Sequence, residues 1–278
     1  MMLSPTNIDL RDSHVMAIIN VTPDSFYGAS RRSSADEVRC AVELAVADGA
    51  TIVDIGGYSS RPGAAEVDTE EEWRRVRMGL QAVADASVDV VVSIDTFRSD
   101  VVRRAYEEFG EFIVNDISAG EIDDKMVGEV ARLALPYVAM HMRGLPQTMQ
   151  TMTYYGSGVV REVREYLLGR AEELQRAGIA HEKIILDPGF GFAKSVEQNY
   201  ELFRGLDEIR ALGYPLLVGV SRKSMIYKPL GITSEEALPG SLALAWEALA
   251  TGAAILRVHD VAATRQILEV RKYYNLMQ

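Results

Sequence analysis

Apolar residues along this chain fall into two alternating patterns. Short runs dominated by branched aliphatic residues lie at Val15–Ile19, Ile52–Ile55, Val90–Ile94, Phe112–Val114, Tyr137–Met140, Ile184–Leu186, Leu216–Val220 and Ala254–Leu256. Such runs, bounded by turn residues, read as strands buried on both faces. Each is followed by a stretch at helical spacing. In Ala35–Asp48 the apolar positions are Val38, Ala41, Val42 and Ala45, and Gly49 is the stop. Glu70–Ala84, Arg98–Phe109, Asp123–Leu133, Val159–Ala177, Glu197–Leu212, Glu235–Thr251 and Val261–Tyr274 repeat the theme, several ending on a glycine such as Gly178, Gly213 or Gly252. Strand and helix in strict alternation predict a parallel sheet. Eight repeats in one domain predict an α/β fold of the (β/α)8 TIM-barrel type. A doubly wound open sheet is the alternative, but it would more naturally carry Gly-x-Gly-x-x-Gly after the first strand, and Asn20–Gly28 has no such turn. Residues 1–14 are expected to be a polar lead-in, and residues 15–278 one barrel domain.

The chemistry sits where these strands end. Ile184–Lys194 reads IILDPGFGFAK: a buried run stopped by Asp187, then Pro188, Gly189 and Gly191, which forbid continuation of the strand. This delivers a carboxylate to a strand tip beside Phe190 and Lys194. Read alone, Asp187 could equally cap the helix that begins near Ser195. The other tips argue for function, because each also hands on a polar group: Asn20, Asp54, Asp95, Asn115, His141, Ser221 with Lys223, and Arg257 with His259. Barrel packing needs branched apolar residues in the strands, not acids and amides at their ends, and such tips converge at one mouth. Asp95, Asn115 and Asp187 suit a flat heterocycle with several N–H donors, such as a guanine-like or pterin-like ring. Arg61, Arg222, Lys223, Arg257 and His259 suit a phosphate or pyrophosphate. For Arg222 a structural ion pair is the simpler reading.

Composition narrows the partners. With 278 residues, 48% hydrophobic and 25% charged, the chain has the make-up of a soluble globular enzyme. A formal net charge of −11 disfavours nucleic acid and anionic membranes. The single cysteine, Cys40, permits no internal disulfide and is expected to pack on its helix. With no membrane-length apolar run and no signal-peptide pattern, the expected location is the cytoplasm. The loops Thr22–Ser34 and Gly56–Ala65 are rich in Gly, Pro, Ser and Thr and could either cover a substrate or be ordinary surface. His14 and His181 lie away from the tips and are expected to be incidental, and Met140, Met142, Met149 and Met152 to be adaptable packing.

Taken in order, INVTPDSF (19–26), DIGGYSSRPGA (54–64), SIDTFR (93–98), NDISAG (115–120), HMRGLPQTMQ (141–150), DPGFGFAK (187–194), GVSRKS (219–224) and RVHDV (257–261) give a chain that resembles the dihydropteroate synthases. These are folate-pathway transferases inhibited by sulfonamides, and the resemblance runs from about Val15 to Leu268. It implies condensation of 6-hydroxymethyl-7,8-dihydropterin pyrophosphate with p-aminobenzoate to give 7,8-dihydropteroate and pyrophosphate. It also implies catalytic roles for Asp187, Lys223, Arg61 and Asn20. Asp95, Asn115, Asp187, Lys223 and Arg257 would hold the pterin. Asn20, Arg61, Arg257 and His259 would hold the pyrophosphate, with Mg2+ at Asn20. Phe26, Ser60, Pro62, Phe190 and Ser224 would form the p-aminobenzoate pocket. The family further implies a homodimer through the last helices, where SLALAWEALA surrounds Trp246.

Two stretches depart from the family's pattern. Where it reads Glu-Ser-Thr-Arg-Pro-Gly, this chain has Tyr58, Ser59, Ser60, Arg61, Pro62 and Gly63. Where it reads Ser-Phe-Ser-Asp-Gly, this chain has Ser25, Phe26, Tyr27, Gly28 and Ala29. Both changes remove an acid from a loop and leave the pterin-binding positions intact. The rival readings are a pterin-binding barrel of the methyltransferase type, which would not need Phe26, Ser60, Arg61 and Pro62, and a binding-only paralogue.

Overall fold

The computed structural model describes residues 8–21, 31–58, 67–145 and 148–276. Eight parallel strands form one sheet: β1 His14–Asn20, β2 Ile52–Gly56, β3 Val91–Asp95, β4 Ile113–Asp116, β5 Tyr137–Met140, β6 Ile184–Asp187, β7 Leu217–Val218 and β8 Ile255–Val258. Their order is β6-β5-β4-β3-β2-β1-β8-β7, every pairing being parallel. The two ends of that list meet at a parallel bridge between Leu186 and Leu216, where the Leu186 N–H donates to the Pro215 carbonyl at 2.9 Å. The sheet is therefore a closed barrel, as the alternating pattern predicts.

Around it run α1 Arg31–Ala47, α2 Thr69–Ala86, α3 Ser99–Phe109, α4 Met126–Leu133, α5 Val159–Arg176, α6 Val196–Arg204, α7 Leu206–Arg210, α8 Ser224–Leu230, α9 Leu238–Thr251 and α10 Val261–Leu276. Two differences from the sequence pattern have local causes. The helix expected over Glu197–Leu212 is divided at Gly205, which ends one helix and begins the next; α5 crosses so closely that a Cβ there would stand 2.6 Å from Val160, so the junction has no room for a side chain. An additional short helix, α8, follows the Ser-Arg-Lys-Ser segment, and β7 ahead of it contracts to two residues.

Alternation within the strands creates two cores. The larger lies between barrel and helices. The smaller comprises Met16, Ile52, Ile113, Val138, Ile185, Leu217, Ala254 and Ile255, contributed by strands all round the barrel. It fills the lower interior, each fully buried aliphatic side chain contributing about 1.5–3 kcal/mol. Ile8 and Leu10 pack against this cluster, so part of the lead-in supports the barrel base. His14 opens β1 there, with its ring nitrogens 2.9 Å from the Asp9 carbonyl and 3.1 Å from Thr51 Oγ1. His181 stacks on Tyr214 at 4.4 Å. Both histidines are structural.

Cys40 is exposed, contrary to the packing role expected from its helix, because Val38 and Val42 occupy the buried stripe. No helix of the described residues is long and apolar enough to cross a membrane.

Candidate active site at the mouth of the barrel

Two residues above the apolar plug, the interior turns polar. Asp54 follows Ile52 on β2, Asn115 follows Ile113 on β4, Asp187 follows Ile185 on β6 and Arg257 follows Ile255 on β8. The two-residue strand period places each of these on the interior face, one layer nearer the C-terminal ends. The strand geometry thus gathers acids, an amide and a guanidinium at one level.

Arg257 is the hub. Its Nε donates to Asp54 Oδ2 at 2.6 Å and its Nη2 to Asp95 Oδ2 at 2.7 Å. Asn115 Nδ2 donates to the same Asp54 oxygen at 3.1 Å, tying β2, β3, β4 and β8 together. Burial would lower the pKa of Arg257, but Asp54 and Asp95 more than offset it and raise it above the ordinary value. Burial pushes Asp95 up to about 7, opposed by Arg257 and reinforced by Asp54. Oδ1 of Asp54 is buried with no hydrogen-bond partner among the described residues, and so is Oγ of Ser93, its register neighbour on β3. Acceptor capacity is therefore left over in a site already crowded with carboxylates, which suits a ligand rich in N–H donors.

The opposite wall is the turn after β6. Asp187 Oδ1 accepts from the Gly189 N–H at 2.7 Å, so Asp187 closes its own turn. The helix that follows is capped by Ser195 and Gln198 in a reciprocal box, which removes the reading of Asp187 as that helix's cap. Gly189 has φ +70°, and a Cβ there would overlap the His141 carbonyl oxygen; only glycine fits. Burial raises Asp187 above the usual carboxylate range, with Lys223 as the chief counterweight. Lys223 is itself lowered to about 8 by burial, against the pull of Asp187. Its Nζ donates to the Phe190 carbonyl and lies 5.0 Å from the centre of the Phe192 ring. The Lys223 amine and the Arg257 Cβ stand 3.9 and 3.8 Å from where a Gly219 Cβ would be, so both cations line the end of β7.

At the rim, Asn20 ends β1, and its Oδ1 lies 3.5 Å from the position a Cβ on Gly56 would take. His259 is held by Ser221, whose Oγ is 3.2 Å from both its backbone N–H and its Nδ1. Ser224 opens α8. Arg222 forms a two-pronged pair with Asp260 at 2.8 and 2.7 Å and donates to the Ser234 and Glu235 carbonyls, a structural tie as its sequence context suggested.

Phe190 departs from expectation: its ring is fully buried against Phe203 at 5.5 Å, so it offers the mouth only its carbonyl. Phe192 supplies the aromatic surface there instead. Arg61, Phe26, Ser60 and Pro62 lie outside the described residues, as do Tyr27 and Gly28. Tyr58 packs edge-on against Phe97 at 5.2 Å, and both flank the Arg98 guanidinium. Arg98 pairs with buried Glu72, which also accepts from Thr96 at 2.6 Å. Met140, Met142 and Met149 join Phe97, Ile117 and Ala193 in an apolar rim, whereas Met152 is exposed.

Asp54, read as a tip acid with no ligand group assigned to it, and Asn199, not singled out at all, both have structural partners at the site. Asp54 was visible as an acid inside an apolar strand. Asn199 lies in mid-helix, where nothing in the pattern marks it, yet its Oδ1 accepts from the Gly191 N–H at 2.7 Å and steadies the turn.

Buried carboxylates and an amide with acceptor capacity to spare, beside cationic side chains at one barrel mouth, are the site of a pterin-binding barrel. The family model described as pterin binding enzyme matches residues 16–259, and the chain belongs to that family. Dihydropteroate synthase of Escherichia coli K12 is 44% identical over 266 residues, covering 95% of this chain and 93% of the relative. The Yersinia pestis dihydropteroate synthase, solved with a sulfonamide drug complex, superposes with a TM-score of 0.89 at 36% identity, covering 99% of both chains. The Xanthomonas albilineans dihydropteroate synthase, solved with 4-aminobenzoic acid, gives 0.88 at 37% identity, covering 96% and 94%. Within the family, the activity is that of a dihydropteroate synthase.

Proposed function

We propose that the mouth binds 6-hydroxymethyl-7,8-dihydropterin pyrophosphate with its ring edge on Asp95, Asn115 and Asp187, and that Asp54 completes this acceptor wall. Lys223 and Arg257 flank the ring. Arg257, His259, Asn20 and Arg61 receive the pyrophosphate. The observation that carries this reading is the Asp54–Arg257–Asp95 bridge on one side of the barrel mouth and, on the other, the Asp187 turn with Lys223 bound to its Phe190 carbonyl.

The chemistry follows from the charge distribution. The bond between the pterin methylene carbon and the pyrophosphate oxygen breaks, and its electron pair leaves with the pyrophosphate. The carboxylates stabilise positive charge developing on the pterin, while Arg257 and His259 neutralise the departing anion. The aromatic amine of p-aminobenzoate then attacks the methylene carbon and loses a proton. Ser224, at the start of α8, would receive the p-aminobenzoate carboxylate, with Phe26, Ser60 and Pro62 completing that pocket. Sulfonamides would compete for it.

Mg2+ fits this mouth in a limited way. It prefers oxygen ligands and keeps several waters, and it binds through few protein groups plus phosphate oxygens. Asn20 offers one amide oxygen at the rim, and among the described residues no cluster of three or more His, Cys, Asp or Glu competes for a metal. Bound there, Mg2+ would neutralise pyrophosphate charge.

The assembly we propose is a cytoplasmic homodimer. Trp246 on α9 meets Tyr274 on α10 at 5.7 Å with Arg271 over both rings, and Val270, Tyr273 and Leu276 remain exposed beside them. Incorporation of labelled p-aminobenzoate into dihydropteroate, with sedimentation analysis of the same sample, tests both parts. Incorporation and a mass twice 30.7 kDa are expected. Methyl transfer from a methylated tetrahydropterin without incorporation would favour the methyltransferase reading.

A further inference from the structure

Lys194 is the most deeply buried cation that the proposed reaction does not use, with 5% of its surface exposed. Its Nζ lies 2.9 Å from the Gly189 carbonyl, 2.9 Å from the Phe192 carbonyl and 3.0 Å from His141 Nδ1. A lysine has three donors, and here all three have acceptors. Every acceptor belongs to the apparatus around Asp187. The Gly189 N–H holds Asp187 Oδ1, so one peptide residue is gripped by Asp187 at its nitrogen and by Lys194 at its oxygen. The Phe192 ring lies beside the Lys223 amine. The His141 backbone N–H donates to the Asp187 carbonyl at 2.9 Å. The Lys194 side chain thus runs back across the turn that its own segment forms, joining the end of β5 to the loop after β6.

We propose that Lys194, with His141 as its anchor, is a positioning residue. It fixes the 187–193 turn so that one carboxylate oxygen of Asp187 is spent on Gly189 and the other is presented to the pterin edge opposite Lys223. The proposal rests on the assignment of Asp187 to pterin binding. Burial holds the Lys194 amine well below the usual lysine range, and the three acceptors around it offset the cost of placing it there. His141 is neutral, pushed down to about 2 by burial and by Lys194 and Arg143, so its Nδ1 is able to accept. Its ring is wedged edge-on against Tyr166 at 4.9 Å, which fixes the direction of the acceptor.

This role differs from that of a general stabiliser in what it should change. Loss of the latch frees the turn that presents Asp187 but leaves the aminobenzoate end of the mouth, at α8 and the rim, in place. Lys194→Met keeps the length and apolar stem and removes the donors. His141→Asn keeps an acceptor oxygen near the Nδ1 position, whereas His141→Leu removes it.

The experiment is calorimetric titration of each folded variant with dihydropterin pyrophosphate, alongside steady-state kinetics and thermal unfolding, with Asp187→Asn as reference. Expected are a Kd for the pterin at least tenfold weaker in Lys194→Met and His141→Leu, near-normal affinity in His141→Asn, and a p-aminobenzoate KM within twofold of the parent at saturating pterin. Unchanged pterin affinity in a folded Lys194→Met, while Asp187→Asn loses binding, would overturn the positioning role alone. Unchanged affinity in Asp187→Asn would instead overturn the assignment beneath it. Equal losses for pterin and p-aminobenzoate, tracking the fall in Tm across all three variants, would reduce Lys194 to a structural residue.

Discussion

Asp54→Asn isolates the residue on which the polar layer of the barrel hangs. The substitution keeps shape and volume but removes the charge whose Oδ2 receives both Arg257 and Asn115. The Asp54 side chain is fully buried and that of Arg257 is 21% exposed, so water screens the pair little. Stranding one member of a buried ion pair costs about 3–5 kcal/mol. Arg257 retains Asp95 at 2.7 Å, so roughly half of that loss, about 2 kcal/mol, is expected. For a chain of this size each kcal/mol moves Tm by about 2–4 °C, which gives a fall of about 4–8 °C. The assay is thermal unfolding of Asp54→Asn, Arg257→Met and the double variant, read as a cycle. A coupling near 2 kcal/mol is predicted, together with pterin affinity lowered about tenfold because Arg257 no longer has a fixed direction. A Tm within a degree of the parent, with coupling below about 0.5 kcal/mol, would refute the reasoning.

The remaining predictions concern pH, backbone and metal. With burial raising Asp95 to about 7 and lowering Lys223 to about 8, pterin affinity should peak between these values. It should weaken on the acid side as Asp95 takes up a proton and on the alkaline side as Lys223 loses one. Lys223→Arg, which stays charged, should remove the alkaline limb in calorimetric titrations, and persistence of that limb would assign it to another group. Gly189→Ala should cost at least 1–2 kcal/mol from its positive φ and lose more through overlap with the His141 carbonyl; an unchanged Tm would contradict the turn geometry. Chelation of Mg2+ should weaken dihydropterin pyrophosphate more than the unphosphorylated pterin alcohol, a comparison that titration reads directly.

The barrel was legible because a buried parallel strand writes itself as an apolar run, and its acid tips stand out against that background. Asp95, Asn115, Asp187 and Arg257 were read this way, and the structure brings them together at one mouth, Asp95 reaching Arg257 from the layer above. What was illegible depends on neighbours distant in sequence. The break falls at Gly205, a glycine within an otherwise helical pattern, and only the approach of Val160 of α5 shows why a side chain has no room there. Phe190 sits on the signature loop, yet its ring is drawn into the core by Phe203, and half-buried Phe192 stands beside Lys223 instead. Lys194 looked like one more loop cation. Only the return of its side chain across the turn, to His141 just past the end of β5, shows what it holds. Tyr58, standing where the family carries an acid, packs with Phe97 and Arg98 at the rim, a contact the sequence alone could not orient.

The most direct measurement is pyrophosphate release from 6-hydroxymethyl-7,8-dihydropterin pyrophosphate, with and without p-aminobenzoate and Mg2+, comparing the parent chain with Asp187→Asn. The assignment of Asp187 as the carboxylate that holds the pterin predicts release that requires both additions and collapses in the variant. Undiminished release by Asp187→Asn would contradict it, because the turn after β6 would then be holding something other than the reacting ring.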